Sequence, residues 1–229
     1  MQTTEIITGS TEIHLEGVDS SLDKGEDFLV HKQVVEPLQR LRNAALDAGY
    51  ELSLCSGFRS FERQLQIWNG KVTGVRPVMD AMGQTVDIEA LAPWELAQAI
   101  LRWSALPGAS RHHWGTDFDV YDRRVMPEGY QIQLTPEEVE GAGLFAPMHN
   151  WLDDFLGSDQ THFYRPYESD RGGIAPERWH ISYRPLADKY AGEMSKKVLQ
   201  DRLISSNILL LDVILEHLDE IFARYILVD

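Results

Sequence analysis

The chain has one cysteine, Cys55, in 229 residues, so it can form no internal disulfide. A core of ordinary proportions must hold it, and a chain of this length can bury one without staples. Cys55 lies in the apolar run "ELSLCSG", which favours a small buried hydrophobe over a reactive thiol. Basic residues are scarce, with 21 Lys and Arg against 36 Asp and Glu and a net charge of -15. That argues against nucleic acid or an anionic membrane as main partner, because phosphate binding needs clustered Lys and Arg. It leaves room for a locally positive pocket. Long apolar runs are also missing. The longest, "ILLLDVIL", is interrupted by Asp212 and is too short to span a bilayer. The first residues lack the basic start and apolar segment of a secretory leader. The expectation is a cytoplasmic protein with no membrane insertion. A chain whose leader had been trimmed would read the same way and would be periplasmic.

What is present is ordinary globular composition, 43% hydrophobic and 25% charged, which suits one domain with an appendage. Val34, Val35, Leu38, Leu41, Ala44 and Ala45 recur at helical spacing, with Gly49 as a stop. "YELSLCS" reads as a strand. "SFERQLQIWNG" reads as a helix capped by Ser60 and ended by Gly70. "APWELAQAILRWSAL" is a helix with Pro93 in its first turn. "TDFDVYD" alternates like a strand. Thr135 and Glu138 have capping-box spacing. "MHNWLDDFLG" is a short amphipathic helix, and "RWHISYRP" is a closing strand. Short strands among segregated helices indicate an α+β fold, a small antiparallel sheet flanked by helices. Residues 1–190 form the expected main domain. Residues 191–229 form a helical extension, with "SSN" at 205–207 able to cap a second helix. Its apolar face either packs on its own domain or makes a homodimer contact.

The segment "SRHHWGTDFDVYD", Ser110 to Asp122, concentrates metal-capable side chains. In one continuous strand His112 and Asp119, seven apart, would point to opposite faces, so Gly115 must supply a turn to bring them together. Alone, such a pair favours a structural role over a metal. Downstream, "APERWHISY" places Glu177 three residues before His180. Two imidazoles and one carboxylate can hold Zn²⁺ with a fourth position open. A further carboxylate that is not a ligand can then take the proton of the attacking water.

These blocks resemble the VanY-type D-alanyl-D-alanine carboxypeptidases, zinc peptidases of the group that includes lysostaphin-type enzymes and the hedgehog signalling domain. The resemblance rests on Ser110-x-His112-x-x-Gly115-x-x-x-Asp119 and on Glu177-x-Trp179-His180. It rests also on "SGFRSFERQ" (Ser56 to Gln64), "LPGASRHH" and "FYRPYESDRGGIAPERWH". It covers Glu36 to Pro185. It implies one Zn²⁺ per chain, held by His112, Asp119 and His180. It implies Glu177 as general base and later proton donor. It implies Arg59 at the scissile carbonyl or the substrate carboxylate, with Gln64 and Ser110 in the substrate pocket. A guanidinium can hold a carboxylate bidentately or stabilise an oxyanion.

The implied substrate is a peptidoglycan stem peptide or muropeptide that loses its C-terminal D-alanine, by D,D- or L,D-cleavage. A cytoplasmic job such as trimming recycled muropeptides would lean towards L,D-cleavage. A phage-type L-alanyl-D-glutamate endopeptidase and a non-catalytic zinc-containing binding domain are the alternatives. One position departs from the pattern: Asp117 stands where the family has a small residue. It shares a strand face with Asp119. It could orient a ligand, but a solvated acid or a turn cap is slightly favoured. His113 should point away from the site, and Trp179 should be core. His149 and His162 match no motif.

Overall fold

The computed structural model describes residues 2–18 and 28–227. A short helix α1 (Gln2–Ile7) precedes a hairpin of β1 (Leu15–Val18) and β2 (Phe28–His31). Next come α2 (Val35–Asp47), β3 (Leu52–Ser56), α3 (Phe61–Val72), α4 (Pro93–Trp103) and β4 (Asp117–Asp122). They are followed by α5 (Pro136–Val139), α6 (Ala146–Leu156), β5 (Phe163–Tyr164) and β6 (His180–Tyr183). The described chain ends in α7 (Arg184–Glu193), α8 (Lys196–Ile204), α9 (Leu211–Glu216) and α10 (Leu218–Ile221). Helices thus flank a four-stranded antiparallel sheet of order β3-β4-β6-β5, the expected α+β arrangement. No helix among the described residues is long and apolar enough to cross a membrane.

Alternation along the strands sorts the sheet into two faces. Leu52 and Leu54 of β3, Phe118 and Val120 of β4 and Ile181 of β6 enter the main core. There they meet Leu38, Leu41 and Ala45 of α2 and Met148 and Leu152 of α6. Burying a large side chain of this kind contributes about 1.5–3 kcal/mol. The alternate residues of β4, Asp117, Asp119 and Tyr121, face the other way. On that side Tyr121, Val139, Phe145 and Trp179 form a smaller cluster, so Trp179 is a core residue as expected. The register Asp119↔His180 and Asp117↔Ser182 sets these side chains directly opposite one another on one face.

Local chemistry fixes the helix that walls the site. The Ser60 hydroxyl accepts from Arg63 N at 3.2 Å and starts α3. The helix runs past Gly70, where a stop is expected, and ends at Val72. The capping-box expectation is met before α5, where the Glu138 carboxylate accepts from Thr135 N at 3.3 Å.

The C-terminal helices pack on the rest of the chain. Leu199, Leu203, Ile214 and Ile221 are buried in the main core. Trp68 Nε1 donates to the Leu209 carbonyl at 3.0 Å, and the Trp94 ring stacks on His217 with centroids 3.9 Å apart. "SSN" does not cap the next helix. Asn207 instead offers its carbonyl to Asn69 at 3.0 Å, and α9 begins after Leu210, in the left-handed region at φ 63°. Contacts with α3 override the local capping preference here. Val228 and Asp229, the end of the expected extension, lie outside the described residues.

Candidate metal centre

Three separate elements bring the donors together. His112 lies on a 3₁₀ turn, Arg111–Trp114, that Gly115 closes at φ 67°. A Cβ on Gly115 would come within 2.5 Å of Leu15 Cδ2 and 2.9 Å of His31 N, so glycine is required for packing as well as for conformation. The turn sends the chain into β4, which presents Asp119, and β6 presents His180 opposite it. His112 Nε2 is 3.5 Å from Asp119 Oδ2, and His180 Nδ1 is 3.3 Å from Asp119 Oδ1. One donor atom from each of His112, Asp119 and His180 lies within 4.8 Å of the others, and all three residues are buried.

Their outer atoms are already engaged, which leaves the inner ones free. His112 Nδ1 is 2.9 Å from the Gly57 carbonyl, so that nitrogen carries the proton and Nε2 keeps its lone pair. His180 Nε2 donates to Asp117 at 3.0 Å and turns Nδ1 inward. Asp119 Oδ1 and His180 Nδ1 are buried without a hydrogen-bond partner. Buried polar atoms without partners are costly, and a shared divalent cation would satisfy both. Two imidazoles and a carboxylate, with room for a fourth ligand, suit Zn²⁺.

Asp117 corrects the sequence reading, which slightly favoured a solvated acid or a turn cap. It is fully buried. Its Oδ1 accepts from Arg111 Nε at 2.8 Å as well as from His180, and its Oδ2 accepts from Thr116 Oγ1 at 2.6 Å. Arg111 also donates to Ser182 Oγ at 2.8 Å and to the Tyr164 hydroxyl at 2.7 Å. Burial opposes the Asp117 charge, but Arg111 and His180 hold its carboxyl well below the usual carboxylate range.

Glu177, just before β6, places Oε2 3.5 Å from His180 Nδ1. Burial pushes its carboxyl up to about 7, against the pull of His180 and Arg59. Arg59 NH1 donates to Gln64 Oε1 at 3.0 Å and its NH2 to Ser56 Oγ at 3.2 Å. Gln64, expected in the substrate pocket, does not line the cavity. It is fully buried, and its Nε2 is committed to the Ala105 carbonyl at 2.7 Å, so it positions Arg59 from behind. Ser110 and Arg59 do line the cavity, with the three donors and Glu177. Its volume is about 590 Å³. A larger cavity of about 800 Å³ also touches Arg111 and Tyr167 but holds none of the donors.

His113, His149 and His162 do not line the cavity that holds the donors. His113 is fully buried, turned from the cavity, and accepts from Gly108 N at 3.0 Å through Nε2. His149 is buried beside Arg165, and His162 is exposed. Burial pushes the Cys55 thiol up, and its Sγ donates to the Asp119 carbonyl at 3.4 Å, so it is not a reactive thiol. Sequence reasoning passed over Arg111 and Tyr167. Arg111 adjoins a candidate ligand, and Tyr167, whose ring centroid lies 4.9 Å from that of His180, falls within the run that leads to Glu177.

The profile of the D-alanyl-D-alanine carboxypeptidase family VanY matches residues 27–186. The chain belongs to this family. An uncharacterised protein of Haemophilus influenzae is 36% identical over 126 residues, 53% of this chain and 92% of its own. The putative carboxypeptidase YodJ of Bacillus subtilis is 25% identical over 184 residues, 78% of this chain and 52% of its own. A D-alanyl-D-alanine carboxypeptidase of Enterococcus faecalis is 28% identical over 149 residues, 64% of this chain and 45% of its own. The alignments thus span about half of either carboxypeptidase. Among solved structures, the LdcB LD-carboxypeptidase superposes with a TM-score of 0.52 at 20% identity, covering 80% of this chain and 75% of that one. VanYB in complex with D-alanine-D-alanine gives 0.50 at 22%, covering 84% and 89%. At these identities the likeness establishes the fold.

Proposed function

We propose that the protein is a zinc-dependent carboxypeptidase that releases C-terminal D-alanine from peptidoglycan stem peptides. The observation that carries this reading is the convergence of His112, Asp119 and His180 beside a buried Glu177 and Arg59 in one cavity. His112 Nε2, an Asp119 carboxylate oxygen and His180 Nδ1 would hold the ion. Bound there, zinc supplies Lewis acidity that polarises the scissile carbonyl and acidifies the attacking water.

The chain's own residues do the rest. Glu177, with its carboxyl near 7, takes a proton from the attacking water and returns it to the leaving amine. A carboxylate at the usual value of about 4.3 would be a poor donor in the second step. Arg59 is held by Gln64 and Ser56 with its guanidinium at the cavity, where it meets the substrate carboxylate or the charge developing on the carbonyl oxygen.

The test is incubation of the purified protein with defined tetra- and pentapeptides, with and without a chelator, and identification of products by mass. The expected result is loss of one D-alanine, abolished by the chelator and restored by zinc. Shortening of one substrate alone assigns L,D- or D,D-cleavage. Cleavage between L-alanine and D-glutamate would replace this reading with an endopeptidase. Zinc binding without any cleavage would leave a binding domain.

A further inference from the structure

Beyond Arg59, the cavity has a second cationic station at the far end of α3. Gln64, Ile67 and Lys71 follow one another at helical spacing on one face of that helix. Ile67 and Lys71 line the cavity, and Arg76 lines it beside them. Arg76 is brought back over the helix end by its N–H, which donates to the Gly70 carbonyl at 2.8 Å. Its aliphatic stem crosses Gly70 so closely that a Cβ there would sit 3.2 Å from Arg76 Cδ.

Among the described residues, neither Lys71 nor Arg76 is in an ion pair, although the chain carries fifteen more acids than bases. Two adjacent cations repel each other. Burial, then the charge of Arg76, pushes the Lys71 ammonium below its ordinary value, against the weaker pull of Glu177 across the cavity. Cations at a helix C-terminus interact favourably with its dipole. That explains the sequence position of Lys71 but not why both side chains wall the catalytic cavity. At about 1.5 Å per residue, Lys71 lies roughly 10 Å along the helix from Gln64, the residue that holds Arg59. An extended peptide residue spans up to about 3.6 Å, so one or two residues and a side chain bridge the interval.

We propose that Lys71 and Arg76 bind a second substrate carboxylate, carried on the side chain of the diamino acid upstream of the released D-alanine. The preferred substrate is then a stem peptide whose diamino acid is dicarboxylic and keeps that group ionised, as against its amide or a lysine. This inference rests on the carboxypeptidase reading and refines it. A guanidinium and an ammonium on one carboxylate form charge-assisted hydrogen bonds that an uncharged amide cannot match.

The experiment uses two stem peptides identical except that the side-chain carboxylate is free in one and a primary amide in the other. Release of D-alanine gives kcat and KM. Calorimetric binding to the zinc-loaded Glu177→Gln protein gives affinity without turnover. The expected result is a preference for the free acid of roughly 10-fold, expressed in KM and in affinity, not in kcat. Lys71→Ala and Arg76→Ala should each reduce the acid-to-amide ratio, and the double variant should bring it near one. A wild-type ratio near one, or a ratio the variants leave intact, overturns the proposal. So does a variant effect that follows amidation of the C-terminal carboxylate instead. If no D-alanine is released but binding still depends on the side-chain carboxylate and on these two cations, the carboxypeptidase reading fails and the carboxylate station stands.

Discussion

Asp117 accepts the Nε2–H of His180 at 3.0 Å, and that bond decides which nitrogen of His180 faces Asp119. The carboxylate is shared with Arg111 at 2.8 Å, so a buried ion pair stands behind the candidate ligand. A carboxylate on the far nitrogen of a ligating imidazole fixes its tautomer and raises its basicity. Asp117→Asn keeps the shape and removes the charge. It is expected to weaken zinc binding about 10-fold or more, measured by titration against a competing chelator. Alanine is the poorer probe, because both variants remove the counter-charge of Arg111 but only asparagine keeps an oxygen to accept from Arg111 and His180. A folded Asp117→Asn protein with unaltered zinc affinity would remove this role.

Glu177 separates metal binding from turnover. It is not among the three converging donors, so Glu177→Gln should retain one zinc per chain by elemental analysis. D-alanine release should fall by about 10²–10⁴-fold, the usual worth of a positioned general acid–base. Loss of zinc together with activity would make Glu177 a ligand. Full activity with zinc retained would dismiss it as the base.

Much of this was legible in the residues, for definite physical reasons. The strands bearing Asp119 and His180 show period-two alternation, α2 to α4 show apolar stripes, and α3 has its Ser60 cap. The spacing around Gly115 could be read because the turn between His112 and Asp119 has room only for glycine. Asp117 was misread because local sequence cannot say that Arg111 folds over it. Gln64 was misplaced because its partner Ala105 is remote in the chain. The N-terminal helix and hairpin were not read at all. They are short, and pairing of β1 with β2, not local preference, makes them strands.

The C-terminal helices bury apolar side chains against the rest of the chain. Leu203 belongs to α8, and none of its surface is exposed. It lies in the same core as residues of β3 and β4. Leu203→Ala should destabilise the protein by about 2–5 kcal/mol through lost contacts and a residual cavity. The loss, measured by urea unfolding, should not depend on protein concentration. A midpoint that moves with concentration would mean the helices are buried by a second copy.

His113 makes stability depend on pH. Its ring is fully buried, and Nε2 accepts from Gly108 N, so protonation would break that bond. Burial holds its pKa at about 3, against 6.5 for a free histidine. Between these values the unfolded chain binds the extra proton and the folded chain does not, so stability falls as pH falls. From pH 6.5 to 5 one such histidine withdraws about 2 kcal/mol. His180 does not interfere in this window. Its pKa is about 9: burial lowers it, but the bond to Asp117 and the nearby charge of Asp119 raise it more. Its stabilisation is therefore complete below 6.5 and is lost only as pH rises towards 9. Glu177 acts in the opposite sense between about 4.5 and 7, since its raised carboxyl holds a proton in the folded chain alone. The clean measurement is therefore a difference. Metal-free wild type and His113→Gln are unfolded in urea at pH 5 and at pH 6.5, and the variant should be less stable at both but lose less between them. Equal losses would mean that His113 titrates in the folded protein as it does in the unfolded chain.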